Sequence, residues 1–458
     1  MPKAVIVIVG ITGDLAKRYI LPSFYHLARH KKISDYSIIG IGRRDITEKQ
    51  IMQNVKGFVE DKMNAKAFSQ METNLTYLQG DVTELETFER LKILIEEKKG
   101  KGQNNVLFYL ATLPRFFVPI TDNIRQCKLH EEAEGWSRIV FEKPFGENGK
   151  SARALNRHVQ KIFSEKQIYR VDHYLGKELV RNMAVLRFTN TMLEPVWSAK
   201  YIDHVQIHLH ESLGVEQRAA FYDKYGAVKD VVQNHILQLL ALTAMEEPKK
   251  LHEKNIRDKK AKALSKAKVV KSVFGQYKGY KQAPGIDRLS QTETFAAMKV
   301  KVDTPRWKDT PFYVMTGKKL KKKQTMIYVQ FTNSSCHLFD GYCPLRPNHL
   351  VISVQPDEGF YLTMNTKEPG TNNITQIKMD FRHESMFGPK TPAAYENVLE
   401  NVLKGDQSAF VRADEVEYSW DIIDPALKKK HKLHPYTAGE IPKAAKELMK
   451  DDGRSWFI

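Results

Sequence analysis

Residues 4–16 read AVIVIVGITGDLA, and the fold of the N-terminal half turns on this stretch. Ala4 to Val9 is a continuous apolar, mostly β-branched run with no polar alternation, which predicts a strand buried on both faces of a parallel sheet. Gly10-Ile-Thr-Gly13-Asp-Leu-Ala16 follows, and Leu15, Tyr19 and Leu27 then recur at helical spacing to about His30. Strand, glycine turn and helix aim backbone N–H groups and a helix N-terminus at a pyrophosphate. The spacing departs from GxGxxG because Thr12 and Ala16 stand at the second and third glycine positions. Gly13-Asp14 and Lys17-Arg18, with no small-residue cleavage pattern, argue for a first strand over a signal peptide.

The next strand, Tyr36 to Ile41, runs into Gly42-Arg43-Arg44, where a dinucleotide fold meets the adenosine ribose. An acid there favours NAD and paired arginines favour the extra phosphate of NADP. Asp45 keeps the alternative open. Buried strands at Leu75 to Gly80, Asn105 to Ala111 and Ser137 to Phe141 continue the alternation, ending in Gly80-Asp81 and Glu142-Lys143-Pro144-Phe145-Gly146. Ligands of open parallel sheets bind at those carboxyl ends, which makes Lys143 a ligand candidate.

From about residue 200 the pattern changes. In Asp203 to His210, residues His204, Gln206, His208 and His210 alternate with Val205, Ile207 and Leu209, which predicts a half-exposed strand with a solvated polar face rather than a metal site. Further strands at Thr294 to Val302, Phe312 to Thr316, Met326 to Phe331, Leu350 to Gln355, Phe360 to Asn365 and Ile374 to Phe381 predict one large antiparallel sheet. A long helix is predicted from roughly Val228 to Ala244, with His235 on the face of Val228, Val231, Val232 and Leu239. A histidine on an apolar face is usually a satisfied core residue, so a second group is needed to give it chemistry. RVDHYLGKELV, residues 170–180, offers one: Leu175 and Leu179 predict a helix beginning here, with Asp172 at its start and His173, Tyr174 and Lys177 forming an anion grip.

The chain has 458 residues, 42% hydrophobic and 28% charged, ordinary for a globular protein of two or three domains. Seventy-two basic against 54 acidic residues give +18, which attracts phosphates, nucleic acid or anionic lipid without choosing among them. Cys127, Cys336 and Cys343 are too scattered for a disulfide framework or zinc site and fit a reducing cytoplasm. No apolar run approaches bilayer length.

Taken together, GITGDLAKR, FEKPFG, RVDHYLGKE, ESLGVEQR, DVVQNHILQLLALTAME, TETFAAMKVKVD, PFYVMTGKKL, VQPDEG and KGDQSAFVRADEVEYSW resemble the glucose-6-phosphate dehydrogenase family, in order from Val5 to Trp456. DHYLGKE and EKPFG together are highly specific for it. The resemblance implies an α/β, Rossmann-like NADP-binding domain over residues 1–175. A larger α+β substrate and dimerisation domain over 176–458 would carry a large, mainly antiparallel sheet. It implies oxidation of glucose 6-phosphate at C1 to 6-phosphoglucono-1,5-lactone with reduction of NADP, the first oxidative step of the pentose phosphate pathway. NAD is a secondary coenzyme in this reading, no metal is required, and the expected partner is a second copy in a homodimer or homotetramer, with no nucleic acid or membrane. The family's base matches His235 and its paired carboxylate Asp172. The sugar-phosphate grip matches His173, Tyr174 and Lys177. Hydroxyl contacts match Lys143, Glu211, Asp230, Lys318, Lys323 and Gln355. The coenzyme side matches Gly10, Thr12, Gly13, Asp14, Leu15, Arg43, Asp81 and Lys143.

These residue types suit the chemistry. Removing hydride from C1 requires the anomeric hydroxyl to lose its proton, and an imidazole starts near neutrality, at about 6.5. A carboxylate on the other ring nitrogen fixes tautomer and aim. This chain departs from the family in Tyr19, where a third basic residue is usual, in Ile11 and Leu113 within the two turns, and in Ala219-Ala220 for a glycine pair. A short-chain reductase reading, from Tyr225 to Lys229 or Tyr277 to Lys281, fails because neither pair lies within the dinucleotide fold. A nucleic-acid-binding reading lacks a binding module. A family member that kept the fold and lost turnover is opposed by the intact acid, histidine and phosphate grip.

Overall fold

In the computed structural model the strand predicted from AVIVIV is β1, Ala4–Val9, with every residue buried. The structure describes residues 3–59, 63–99, 105–132, 135–333, 345–388, 392–429 and 431–458. Cys336 and Cys343 lie outside the described residues. The chain forms two compact units: residues 1–177, 252–257 and 392–416 make the first, and 178–251, 258–391 and 417–458 the second.

In the first unit, β1 is joined by β2 (Tyr36–Gly42), β3 (Leu75–Gln79), β4 (Val106–Leu110), β5 (Ser137–Glu142) and β6 (Ile168–Val171). Their order is β6-β5-β4-β1-β2-β3, all parallel. The order reverses beside β1, the arrangement that opens a crevice at the strands' carboxyl ends. The residues of β4 are all buried, as expected of a sheet covered on both faces. The returning segment 392–416 adds β15 (Phe410–Val411), antiparallel to β6. Its helix Ala394–Lys404 packs on Leu21–Arg29, and Arg138 donates to the carbonyls of Val402 and Leu403 at 2.6 and 2.9 Å.

In the second unit the strands are β7 (Ile202–His210), β8 (Ala267–Tyr277), β9 (Phe295–Val302), β10 (Pro311–Gly317), β11 (Gln324–Phe331), β12 (His349–Gln355), β13 (Gly359–Lys367), β14 (Ile374–Arg382) and β16 (Leu433–Tyr436). They form one sheet in the order β14-β13-β12-β11-β7-β10-β9-β8-β16, antiparallel except at β7–β10 and β8–β16. The helix predicted from Val228 to Ala244 is present, but in two parts. Val228–Ile236 is a wide π-type helix and Leu237–Ala244 an α-helix buried along its whole length.

Two expectations are corrected. The polar side of β7 is not solvated: His204, Gln206, His208 and His210 are all at most 4% exposed. The chain's own C-terminal segment covers them. Gln206 donates to Ser455 O at 3.0 Å and accepts from Phe457 N at 2.9 Å, and the Trp456 ring meets that of His208 edge-on. Second, no helix begins at Asp172. Residues 173–176 form successive turns and the helix is Glu178–Phe188. No helix among the described residues is long and apolar enough to cross a membrane.

Candidate active site

The first unit positions the coenzyme candidates at the switch point beside β1. Gly10 has φ +87, and a Cβ there would lie 2.6 Å from Ala111 O, so only glycine fits. Gly13 N–H closes the turn on Gly10 O at 2.9 Å, and helical structure starts at Asp14, with a π-type stretch over Ala16–Ile20. Asp14 pairs with Arg18 at 2.7 Å on the surface. Ile11 is buried, and its side chain fills the space over Gly40, where any Cβ would collide with it. The glycine on β2 thus accommodates the larger residue in the turn. Thr12 packs closely over Gly42, and Arg43 follows at the end of β2. The Asp81 carboxylate accepts from Thr83 N and Oγ1 at 2.9 and 2.8 Å. Those bonds first, and then the field of Arg43, hold its pKa below the usual carboxylate value. Backbone N–H groups, a helix start and an arginine therefore share the end of this sheet, a donor set that fits a dinucleotide phosphate.

Lys143 follows β5 through a cis peptide to Pro144. At the end of β6, Asp172 is 1% exposed and its Oδ1 accepts from Tyr174 N at 3.0 Å. Turns from Leu175 N to Asp172 O and from Lys177 N to Tyr174 O then carry the chain round, so His173, Tyr174 and Lys177 sit on a knot of backbone rather than a helix face. Gly176 is pressed against Ala394 O, and Asn397 donates to the Gly176 carbonyl at 2.9 Å. Lys177 Nζ lies 5.3 Å over the Tyr174 ring.

The fold adds one residue that the sequence motifs did not single out. Tyr395 stacks between Tyr19, with centroids 5.3 Å apart, and His173, at 6.3 Å and 8° between planes. Its hydroxyl and that of Tyr109, at 2.6 Å, bond the Glu142 carboxyl. Burial pushes Glu142 up to about 7, against the two phenols and Lys143. Tyr395 lies more than two hundred residues after His173 in the sequence, and only a tyrosine in the first turn of AYENVLENVLK hints at it.

In the second unit, neighbouring strands bring four candidates to one rim. Glu211 follows β7, Lys318 follows β10, Lys323 precedes β11 and Gln355 ends β12. His210 is opposite both Gly317 and Gln324, and Thr325 is opposite Gln355, whose amide donates to Thr325 Oγ1 at 3.0 Å. Lys318 Nζ bonds Glu211 Oε2 at 2.6 Å and lies 4.7 Å over the Tyr222 ring. Lys323 is exposed. The helix Val228–Ile236, which carries Asp230 and His235, packs on β7 and β10. Asp230 is 3.8 Å from Arg218, and His235 is 3% exposed, its N–H bonded to Asn234 Oδ1 at 2.7 Å.

A parallel nucleotide sheet with its phosphate turn, together with acids, bases and lysines at strand ends, defines a dinucleotide-dependent oxidoreductase. The family model "Glucose-6-phosphate dehydrogenase, NAD binding domain" matches residues 7–182, and "Glucose-6-phosphate dehydrogenase, C-terminal domain" matches 184–457. The chain belongs to the glucose-6-phosphate dehydrogenase family. It is 39% identical to the glucose-6-phosphate 1-dehydrogenase of Bacillus subtilis, over 100% of this chain and 98% of that one. It is 37% identical to that of Chlamydia muridarum, over 99% and 97%. A glucose-6-phosphate dehydrogenase solved in complex with glucose 6-phosphate superposes with a TM-score of 0.93 at 31% identity, over 100% of this chain and 99% of that one. The enzyme of Mycobacterium avium gives 0.88 at 32%, with the same coverage.

Proposed function

We propose that this enzyme oxidises glucose 6-phosphate at C1 to 6-phosphoglucono-1,5-lactone with hydride transfer to NADP. The observation that carries this reading is the full-length likeness to a relative whose structure holds glucose 6-phosphate. Gly10, Thr12, Gly13, Asp14 and Leu15, with Arg43, Asp81 and Lys143, would hold the coenzyme, which would supply the hydride acceptor.

In this reading His235 takes the proton of the anomeric hydroxyl as C1 loses hydride, so C1 becomes an uncharged lactone carbonyl. Asp172 holds the imidazole's other nitrogen and stabilises the imidazolium. His173, Tyr174 and Lys177 hold the 6-phosphate, whose binding energy orients the distant C1. Lys143, Glu211, Asp230, Lys318, Lys323 and Gln355 bond the sugar hydroxyls. NAD serves as a secondary coenzyme in this reading, since the Gly10 to Leu15 turn meets the pyrophosphate common to both coenzymes and Arg43, after β2, meets the extra phosphate. Exposed Met364, Ile377 and Met379 on β13 and β14 suit association with a second copy, as a homodimer or homotetramer acting in the cytoplasm.

The test is absorbance of NADPH on mixing enzyme, glucose 6-phosphate and NADP, repeated with NAD. No reduction of either coenzyme would refute the activity. Light scattering of the eluted protein reads the oligomer, and a monomer at all concentrations would refute the association.

A further inference from the structure

We propose that Glu293 is a positioning residue for this reaction, because its carboxyl anchors the start of the helix carrying Asp230 and His235 while its neighbour Thr294 fixes the backbone of Lys318. The inference rests on the assignment of those three residues to the sugar side.

The helix preceding this one, Ala219–Ala227, breaks at Gly226, which adopts φ +68 and ψ 177. The break leaves the N–H groups of the new helix without intrahelical acceptors. Glu293 fills the gap with a carboxyl oxygen and its backbone carbonyl. Val228 N–H donates to Glu293 Oε1 at 3.1 Å and Ala227 N–H to Glu293 O at 2.9 Å. Gly226 closes over the carboxyl so tightly that a Cβ at 226 would overlap it. The segment carrying Glu293 is itself stapled to the earlier helix, since Ser290 Oγ bonds Asp223 Oδ1 and Thr292 Oγ1 bonds Asp223 O, each at 2.5 Å.

One residue on, the chain turns to the opposite side of the sugar rim. Lys318 N–H donates to Thr294 O at 2.9 Å, and Tyr436 OH, which bonds Thr294 Oγ1 at 3.0 Å, donates to Lys318 O at 2.8 Å. Two consecutive residues thus set the first turn of the base's helix and the root of the lysine that pairs with Glu211. Removing the carboxyl takes away the acceptor of Val228 N–H at the start of that turn and lets helix and rim shift relative to each other. A misplacement of about 1 Å is enough to cost about a hundredfold in rate.

Glu293 is 7% exposed, and burial pushes its pKa up to about 7. The bonds from Val228 and its own backbone, and then Lys229, oppose that rise. Tyr222 and Tyr280 also face it, and both phenols are pushed upward, so they stay neutral in the working range. The carboxyl therefore gains charge through neutral pH, and an anion is the stronger anchor at a helix start.

The test is kinetics of E293A, E293Q and the parent with glucose 6-phosphate, from about pH 6 to 9. E293A is expected to lose tenfold or more in kcat with the KM for NADP unchanged, because the coenzyme turn belongs to the other unit. E293Q keeps an acceptor for Val228 and should recover most of kcat at low pH, while the ratio of parent to E293Q rises between about pH 6 and 8. If E293A does not fold, the E293Q profile decides. A profile parallel to the parent's, or an E293A of undiminished kcat, overturns the inference while leaving the activity standing. An inactive parent overturns both.

Discussion

Tyr109 OH donates to Glu142 Oε1 at 2.6 Å, from one buried strand to the next, immediately before Lys143. The bond places a neutral phenol, and with it Tyr395, against a carboxyl that burial pushes up to about 7. A carboxyl with a raised native pKa holds a proton that the unfolded chain releases from about 4.5 upward. The stability it contributes is complete below about 4.5 and falls as pH rises through about 7. At roughly 1.4 kcal/mol per pKa unit, the loss is on the order of 3 kcal/mol.

Glu142→Gln keeps an acceptor for Tyr109 and removes the titration. Its melting temperature should gain on the parent's as pH rises from about 5 to 8. A constant difference across that range would show that the carboxyl does not titrate there.

Asp172 is bound into its turn through Oδ1 and the Tyr174 N–H, a bond that asparagine reproduces. Asp172→Asn should therefore leave the turn and the glucose 6-phosphate affinity nearly intact. An amide cannot stabilise an imidazolium, so kcat should fall about 10²- to 10⁴-fold, as should that of His235→Asn. If the two residues act together as proposed, the double variant should be little worse than either single one. Additive losses in kcat would refute their pairing.

Much of this was legible in the sequence. Strands β1, β2, β4 and β5 are apolar runs because both faces are covered, and a run needs no partner to be recognised. The helix at Asp172 was misread because Leu175 and Leu179 have helical spacing. Gly176 and the Asp172 side chain, which serve turns, decide the matter locally. The β7 face was misread for another reason: alternation shows that two faces differ, not what lies on each. Its cover, residues 454–457, comes some 250 positions later. Tyr395, Glu142 and Glu293 escaped notice because their roles depend on pairings that leave no local pattern.

In the proposed reading Arg43, directly after β2, meets the coenzyme's extra phosphate, while the carbonyl of the next residue, Arg44, accepts from Tyr77 OH at 2.7 Å. Arg43→Ala removes a charge-assisted bond of about 1.5–3 kcal/mol. The KM for NADP should rise about tenfold or more and that for NAD should change little. Equal rises for both coenzymes would place Arg43 away from that phosphate.

The buried row on β7 makes a prediction of opposite sign to Glu142. Its proton positions follow from its partners. Gln206 Oε1 accepts from Phe457 N, so it also accepts from His208 Nε2 at 3.0 Å. His208 Nδ1 must then accept from His210 Nε2 at 3.2 Å, and His210 Nδ1 from the Gln324 amide at 3.3 Å. Gln206 Nε2 donates to His204 Nε2 at 2.8 Å, leaving His204 Nδ1–H to donate to Asp203 at 2.6 Å. Arg454 holds the same carboxylate at 2.9 Å and ties the C-terminal segment to this end of the row. A proton added to His208 would set two N–H groups against each other. Burial, and then the neighbouring His210, depress His208 well below 6.5, and burial with Lys322 brings His210 to about 4. A histidine with a depressed native pKa contributes stability above about 6.5 that is lost as pH falls toward 4. His208→Gln should cost about 1–3 kcal/mol at pH 8, from the broken row, yet lose less than the parent between pH 6.5 and 4.5. Thermal melts of the two proteins over that interval measure it, and parallel curves would show that His208 takes up the proton in the folded protein as readily as in the unfolded chain.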